Sequence, residues 1–394
     1  MVINKRLVLE VLLFFFLIIC IFFPGDPYNI KFVFLGLLMV FSLDKLFSNT
    51  TLNKYTFILI FGLLYPVFLA IWSYLFNDSS LYDALSGAYP PIILLLVIVI
   101  SENKLKYGQL LRYTLIALAL FTISLVIFDL LGFISVNGPN AIRDAVYKYD
   151  MGIMGKSSSY AVYYKVFMKA SPLLLLLIVY GFENKIVSIP IISYIALVLS
   201  GTRANIFVAT LLFLFCLFVF YDKDNTNLKL KIGLPLITLF LLAISISSLI
   251  AIVRNMMSAA GSINSDLVRQ SQLSSFINLF KHPRHLLFGM GFGSEFFDEG
   301  RMEYRSSSEI SYLDLLRKIG LIGFIPFLWF ILKPFSFNIS ISKKVMYICY
   351  LLICLTNPLL FSSTAYLLYV YLYSIHYDQC EHVLYYSNSR RYEA

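Results

Sequence analysis

A glutamate and an arginine at the ends of apolar runs are the residues of this chain whose types and positions could carry chemistry. Glu309 opens one long apolar run, where a carboxylate could accept a proton from a hydroxyl group as a general base. Arg203 ends a Ser-Gly-Thr-Arg turn, residues 200–203, between two other apolar runs. The start of a helix binds anions, and the planar guanidinium fork suits phosphate. Together they predict a site for an anionic group beside a hydroxyl.

Both residues also have a purely structural interpretation. Arg203 could instead extend from a helix end to lipid headgroups. Glu309 follows Ser306 by three positions, which is the spacing of a capping box and would make its carboxylate a helix cap. At the level of sequence, these alternatives stay open.

The composition places these residues in a membrane protein. Of the 394 residues, 59% are hydrophobic and 13% are charged, and the mean hydropathy is +0.81, whereas soluble domains carry about 25% charge. A soluble globular protein, a disordered chain and a coiled coil are therefore excluded. The apolar runs are continuous rather than alternating, which favours helices over a barrel. We predict an all-α polytopic membrane protein, with residues 1–394 as a single integral membrane domain.

The positions of the apolar runs and basic residues predict the topology. At ~20 residues per crossing there are about twelve transmembrane helices. Lys and Arg recur in every second connection, and the positive-inside rule then places those connections and both termini in the cytoplasm. The predicted crossings are residues 7–23, 30–43, 55–76, 86–100, 110–132, 166–180, 186–200, 203–221, 232–252, 309–332, 345–360 and 363–377.

Two large connections, residues 133–165 and 253–308, fall on the outer side and are basic nevertheless. Acidic residues lie there too, so a solvated loop of mixed charge would account for them. The functional interpretation is an outward-facing site for an anionic group, because arginine makes paired, charge-assisted hydrogen bonds to phosphate. The arginines concerned include Arg143 in the first loop and Arg254, Arg269 and Arg305 in the second.

Two further motifs flank Glu309. The glycines at 289, 291 and 293 do not have the spacing of a dinucleotide-binding loop, and they predict unusual backbone dihedral angles. Asp314 stands three and four residues before Arg317 and Lys318, which predicts ion pairs on a helix surface.

Other chemistries are weakly supported. His282 and His285 flank a proline with no cysteine nearby, so we predict no metal site. Four of the five cysteines lie in apolar runs and one in the tail, so we expect no structural disulfide. The chain has no phosphate-binding loop motif and no sizeable cytoplasmic segment for nucleotide chemistry. The net charge of +9 is explained by the positive-inside rule, without nucleic acid.

The order of the motifs resembles that of the O-antigen polymerase and O-antigen ligase superfamily. The Ser-Gly-Thr-Arg turn comes first, followed by Arg269, Phe-Lys-His-Pro at 280–283, the glycine-rich segment 287–293, Glu-Ile-Ser-Tyr-Leu at 309–313 and Gly-Leu-Ile-Gly at 320–323. Members are polytopic, GT-C-like glycosyltransferases with outer-side active sites and lipid-diphosphate-linked sugar substrates. The ligase branch typically has His where this chain has Glu309, which favours the polymerase branch.

The resemblance implies an O-antigen (polysaccharide) polymerase of the bacterial inner membrane, with its active site facing the periplasm. Such an enzyme transfers a growing glycan from polyprenyl diphosphate to the non-reducing end of a lipid-linked repeat unit, without a metal or other cofactor. On the motifs, Glu309 and Arg203 are expected to be catalytic and Arg269 to contact the diphosphate. Charge and position add Arg254, Arg143, Arg305 and the motif residue Tyr312 as expected substrate contacts.

The expected partners are undecaprenyl-diphosphate-linked oligosaccharide, membrane lipid and a chain-length regulator protein, with no nucleic acid. One alternative function is the O-antigen ligase. Another is a lipid-linked oligosaccharide flippase or other transporter. Transporters tend to place ionisable residues and broken helices near the membrane midplane, whereas this chain concentrates its charge on the outer loops.

Overall fold

The structure is a computed structural model that describes residues 5–25, 30–46, 48–77, 79–157, 163–221 and 260–392. The protein is mostly helical, at 73%. The ninth predicted crossing, residues 232–252, and Arg254 lie outside the described residues. They therefore stay predictions.

Five helices within the described ranges are long and apolar enough to cross a membrane. This confirms the predicted helical membrane class, while the count of about twelve crossings and the orientation stay predictions. The five are Thr56–Phe76 (α5), Leu81–Glu102 (α6), Tyr107–Leu130 (α7), Arg203–Tyr221 (α11) and Ser311–Leu332 (α14). The other helices are Lys5–Phe22 (α1), Ile30–Val40 (α2), Leu43–Leu46 (α3), Asn49–Lys54 (α4), Ala141–Lys148 (α8), Ser171–Glu183 (α9), Ser188–Leu199 (α10), Ala260–Phe280 (α12), Pro283–Phe288 (α13), Ile341–Ile353 (α15) and Ser363–Tyr392 (α16).

Two antiparallel hairpins add a small β component to the expected all-helical fold. Gly152–Ser157 (β1) pairs with Tyr163–Met168 (β2), and Phe296–Asp298 (β3) pairs with Glu303–Arg305 (β4). The sixth crossing was expected from residue 166, but residues 163–168 form a strand and the helix follows it. The first hairpin therefore extends from the first long connection into the sixth predicted crossing, and the second hairpin lies within the second long connection.

One end of the helix bundle is held by ion pairs between the basic connections. Each pair joins two connections that the charge pattern assigns to the cytoplasmic side, and that assignment stays a prediction. The pairs are Lys5 with Asp44 at 2.8 Å, Lys54 with Glu102 at 3.1 Å and Lys343 with Glu183 at 2.7 Å.

The second long loop contacts the last turns of α5. The indole nitrogen of Trp72 donates to the carbonyl of Phe288 at 2.8 Å, and Arg284 donates to the carbonyl of Phe76 at 3.0 Å. These two bonds fasten the second long loop to the end of α5.

Tyrosines contribute to the core in a way that the composition did not indicate. Tyr366, Tyr369 and Tyr373 on α16 are almost completely buried. The hydroxyl of Tyr373 donates to the carbonyl of Phe330 at 3.0 Å, and that of Tyr369 to the carbonyl of Leu360 at 3.2 Å. A buried hydroxyl needs such a partner, so these side chains link neighbouring segments within the bundle.

Candidate functional site

Glu309 lies between two arginines at the end of the bundle that carries the second hairpin. One carboxylate oxygen, Oε1, is 2.9 Å from a guanidinium nitrogen of Arg301, and the other, Oε2, is 3.4 Å from one of Arg269. The three side chains are 34%, 40% and 35% exposed, respectively. We call these residues the Glu309 cluster. It contains two of the residues expected at the site and carries one net positive charge.

Glu309 precedes the helix rather than capping it. Helix α14 begins at Ser311, its N-cap is Ile310, and no side chain caps it. The capping-box interpretation is therefore wrong, because the chain from 306 to 310 is not yet helical. The carboxylate is directed to the arginines of the loop instead.

A single buried glutamine connects the three members of the cluster. Gln272 lies on α12, three residues after Arg269, and is completely buried. Its amide donates to a carboxylate oxygen of Asp298 at 2.7 Å, and it accepts from the Ser308 hydroxyl at 3.3 Å. Ser308 is the residue before Glu309, so this amide positions the glutamate relative to α12.

Asp298 in turn sets the position of Arg301. This buried carboxylate ends β3 and accepts hydrogen bonds from the backbone N–H groups of Gly300 and Arg301, at 3.0 and 3.2 Å. A carboxylate that binds the N–H groups of a turn stabilises that turn. The tip of the β3–β4 hairpin is thereby fixed, and Arg301 with it.

Below the cluster, Arg317 is completely buried. Its guanidinium donates to Asp314 at 2.9 Å, to the carbonyl and hydroxyl of Ser294 at 2.9 and 2.8 Å, and to the carbonyl of Ser306 at 2.9 Å. Lys318 contacts the other oxygen of Asp314 at 2.7 Å. The predicted ion pairs exist, but their expected position on a helix surface is wrong, since the loop that carries β3 and β4 covers them.

The glycine-rich segment explains this covering. Gly320 interrupts α14 with φ 61° and ψ 177°, and the carbonyls freed there accept hydrogen bonds from the segment. The N–H of Met290 donates to the backbone carbonyl of Arg317 at 2.7 Å. The N–H of Gly291 donates to the backbone carbonyl of Lys318 at 2.9 Å. Gly289, Gly291 and Gly293 all have positive φ, as the sequence predicted.

Arg203 lies at the first residue of α11, in the neighbourhood of the first hairpin. Gly201, in the same turn, has φ 65°, and a Cβ atom there would be 2.3 Å from the carbonyl oxygen of Tyr164 on β2. The Ser-Gly-Thr-Arg turn thus packs closely against β2. Cooperation between Arg203 and Glu309 stays a prediction.

The β1–β2 hairpin beside this turn contributes Tyr164 and Lys156 to a cluster of polar and charged side chains around Asp129. Tyr164 donates to Asp129 at 2.5 Å, and Lys156 pairs with the same oxygen at 3.2 Å. Burial, followed by the hydrogen bond to Asp129, raises the pKa of Tyr164. The pKa of Lys156 is raised by its hydrogen bond with Tyr164 and, next, by its hydrogen bond with Asp129. Asp129 also accepts from the N–H of Val136 at 2.9 Å, so this group fastens the first loop to the end of α7.

The remaining expected substrate contacts have protein partners in this structure. Arg143 donates to the carbonyl of Asn137 and lies over the ring of Tyr147. Arg305 pairs with Glu303 at 3.0 Å. The hydroxyl of Tyr312 donates to the carbonyl of Leu351 at 3.2 Å. These contacts leave the proposed roles untested.

Sequence reasoning did not single out Arg301 or Gln272. Arg301 stands eight residues before Glu309, too far for a local spacing rule to pair them. Gln272 follows Arg269 by three residues, so both lie on one side of a helix, but Gln272 belongs to no motif. Among the described residues, no three His, Cys, Asp or Glu side chains are grouped as metal ligands would be.

No protein-family model, curated protein or solved structure matches this chain. The fold alone defines a mostly helical protein with several helices suited to a membrane.

Proposed function

We propose that the protein is a glycosyltransferase of the bacterial inner membrane that polymerises polyprenyl-diphosphate-linked oligosaccharides on the periplasmic face. The observation that carries the proposal is the Glu309 cluster. It combines a carboxylate with two guanidinium groups at the outer end of a helical membrane protein. Such a set can hold a diphosphate and accept a proton from a sugar hydroxyl.

The chemistry assigned to these residues is a displacement at an anomeric carbon. The acceptor hydroxyl oxygen forms a bond to that carbon, and the bond from the carbon to the diphosphate oxygen breaks. The hydroxyl proton passes to Glu309. Arg269, with Arg203, stabilises the negative charge that develops on the departing polyprenyl diphosphate.

One observation favours a second candidate, a transporter of the same lipid-linked substrate. Gly320 breaks α14 near its middle, and broken membrane helices form binding sites in many transporters. The ionisable residues nearest to the break, Arg317 and Lys318, are both paired with Asp314. Because these charges are already held in ion pairs within the protein, they support a structural role for the break rather than a substrate site. Polymerase therefore stays the main proposal.

The test is polymer formation by the full-length protein in liposomes that contain a lipid-linked repeat unit. Products are separated on a gel, where polymerisation gives a ladder. We expect Glu309→Gln and Arg269→Ala each to reduce the ladder at least about 100-fold, the size expected for a general base or charge-stabilising group.

The matched controls are Glu295→Gln and Lys281→Ala. Both change an exposed charge in the same loop and should retain the ladder. A ladder unchanged in Glu309→Gln and Arg269→Ala would refute the proposal. Movement of substrate between leaflets without any ladder would establish the transporter instead.

A further inference from the structure

We infer that the Glu309 carboxylate occupies the position between Arg269 and Arg301 that a substrate diphosphate takes when it binds. The bound diphosphate then displaces the carboxylate from the two arginines. The inference rests on the proposed function for the identity of the anion and extends it to the regulation of the same site. It also assigns Arg301 as an anion-binding residue.

The geometry of the carboxylate supports this replacement. Its two oxygens contact two different guanidinium groups, at 2.9 Å from Arg301 and 3.4 Å from Arg269. Phosphate oxygens make the same kind of contact with guanidinium groups. The carboxylate therefore stands in for two phosphate oxygens.

The two arginines stay together without the carboxylate. Arg269 lies on α12 and Arg301 on the hairpin turn, and buried Gln272 and Asp298 join these two elements at 2.7 Å. That bond does not involve Glu309. When the glutamate side chain rotates away, both guanidinium groups still border the position that it leaves, and an anion is attracted to that position.

The exchange is energetically accessible because all three side chains are partly exposed. Ion pairs with such exposure contribute little net free energy, so a diphosphate with several negative charges can displace one carboxylate. Arg317, in contrast, is completely buried and bound at four acceptors, so it is not available for exchange.

The consequence is that donor binding releases the base. While both of its oxygens face guanidinium groups, Glu309 is held away from a hydroxyl in line for attack. Once diphosphate takes the arginines, the carboxylate is free to turn towards the acceptor.

The experiment measures inorganic pyrophosphate binding to the full chain in detergent micelles by calorimetry. We expect Glu309→Gln to bind pyrophosphate about fivefold more tightly than the unmodified protein, since the substitution releases two partly exposed ion pairs. Adding Arg301→Ala to Glu309→Gln should remove this gain.

Glu295→Gln is the control for overall charge, because it removes one exposed carboxylate from the same loop. Its affinity should match that of the unmodified protein. Equal or weaker binding by Glu309→Gln, an equal gain in Glu295→Gln, or no binding by any variant would each overturn the inference.

The glycan ladder separates this inference from the proposed function. Tighter pyrophosphate binding by Glu309→Gln, with a ladder unaffected by any substitution in the cluster, would retain the anion exchange and refute the polymerase. A ladder lost in Glu309→Gln, without any gain in pyrophosphate affinity, would retain the polymerase and refute the exchange.

Discussion

Gly289 and Gly320 lie backbone against backbone. A Cβ atom added to Gly320 would be 2.5 Å from the amide nitrogen of Gly289, and one added to Gly289 would be 2.6 Å from that of Gly320. Both residues have positive φ. The crossing therefore requires glycine on both sides, for space and for conformation. It joins the second outer loop to the break in α14.

Gly320→Ala should destabilise the protein strongly. A backbone with φ 61° and ψ 177° lies in a region that is open essentially to glycine alone and costs a residue with a Cβ ~1–3 kcal/mol, and the added atom would also displace the segment at Gly289. We expect a loss of at least about 2 kcal/mol in the free energy of unfolding, measured by chemical denaturation in micelles. The control is Gly36→Ala on α2, where nothing lies within 4 Å of the added Cβ. It should stabilise the helix by up to ~1 kcal/mol, and an equal loss in both variants would contradict the crossing.

Arg317→Met should cost about 3–5 kcal/mol, because it leaves part of a buried ion pair uncompensated. The free energy of unfolding in micelles again measures the effect. Arg317→Lys should also destabilise, since one ammonium group cannot reach both Ser294 and Ser306 in the geometry of the guanidinium fork. Lys281→Met removes an exposed cation of the same loop, whose bond is to the nearby Asn278, and should cost less than about 1 kcal/mol. A similar cost at both positions would show that Arg317 does not fasten the loop.

Cys380 tests the predicted orientation without any engineered label. It is exposed, whereas Cys20, Cys216, Cys349 and Cys354 are buried. If the C-terminus is cytoplasmic, a membrane-impermeant maleimide should label the protein only after the cells are permeabilised, as detected by a mass shift. Cys380→Ser should abolish that labelling.

The reverse pattern should hold for a cysteine placed in the second outer loop. Glu295→Cys in a Cys380→Ser background should react in intact spheroplasts. Labelling of Cys380 in intact spheroplasts that carry the unmodified protein would contradict the assignment of sides.

The first hairpin should lose stability at alkaline pH. The pKa values of Lys156 and Tyr164 are both raised, so the folded state favours their protonated forms. Their contribution is fully present below the ordinary pKa values, about 10 for Tyr and 10.4 for Lys, and is lost as pH rises through the raised values. Melting temperatures at pH 8 and pH 11 should therefore differ less in Lys156→Gln than in the unmodified protein.

Lys165→Gln is the matched control for this pH effect. Lys165 is exposed on β2 beside Tyr164, and its pH dependence should equal that of the unmodified protein. If Lys156→Gln and Lys165→Gln behave alike, the group around Asp129 does not account for the alkaline loss.

The sequence predicted the helical membrane class, because hydropathy acts over whole segments. It also placed Glu309 and Arg269 in one site by resemblance, and the structure brings them within ion-pair distance. The second hairpin contributes Arg301 through Asp298 and Gln272. These contacts depend on tertiary folding and leave no periodic pattern.

Two local interpretations failed for related reasons. The spacing of Ser306 and Glu309 suits a helix N-terminus, but α14 begins two residues after Glu309. The i+3 and i+4 spacing of Asp314, Arg317 and Lys318 was correct, but the spacing does not indicate which face is covered. In both cases a loop distant in sequence determined the outcome.

The contacts of Arg317 with Ser294 and Ser306 have an evolutionary consequence. They close residues 295–305 at their base, while Met302 at the tip is 74% exposed. A surface loop tied at its base can change in length and composition at modest cost. Substitutions around Met302 at the tip can therefore change this surface without altering the helices that support it.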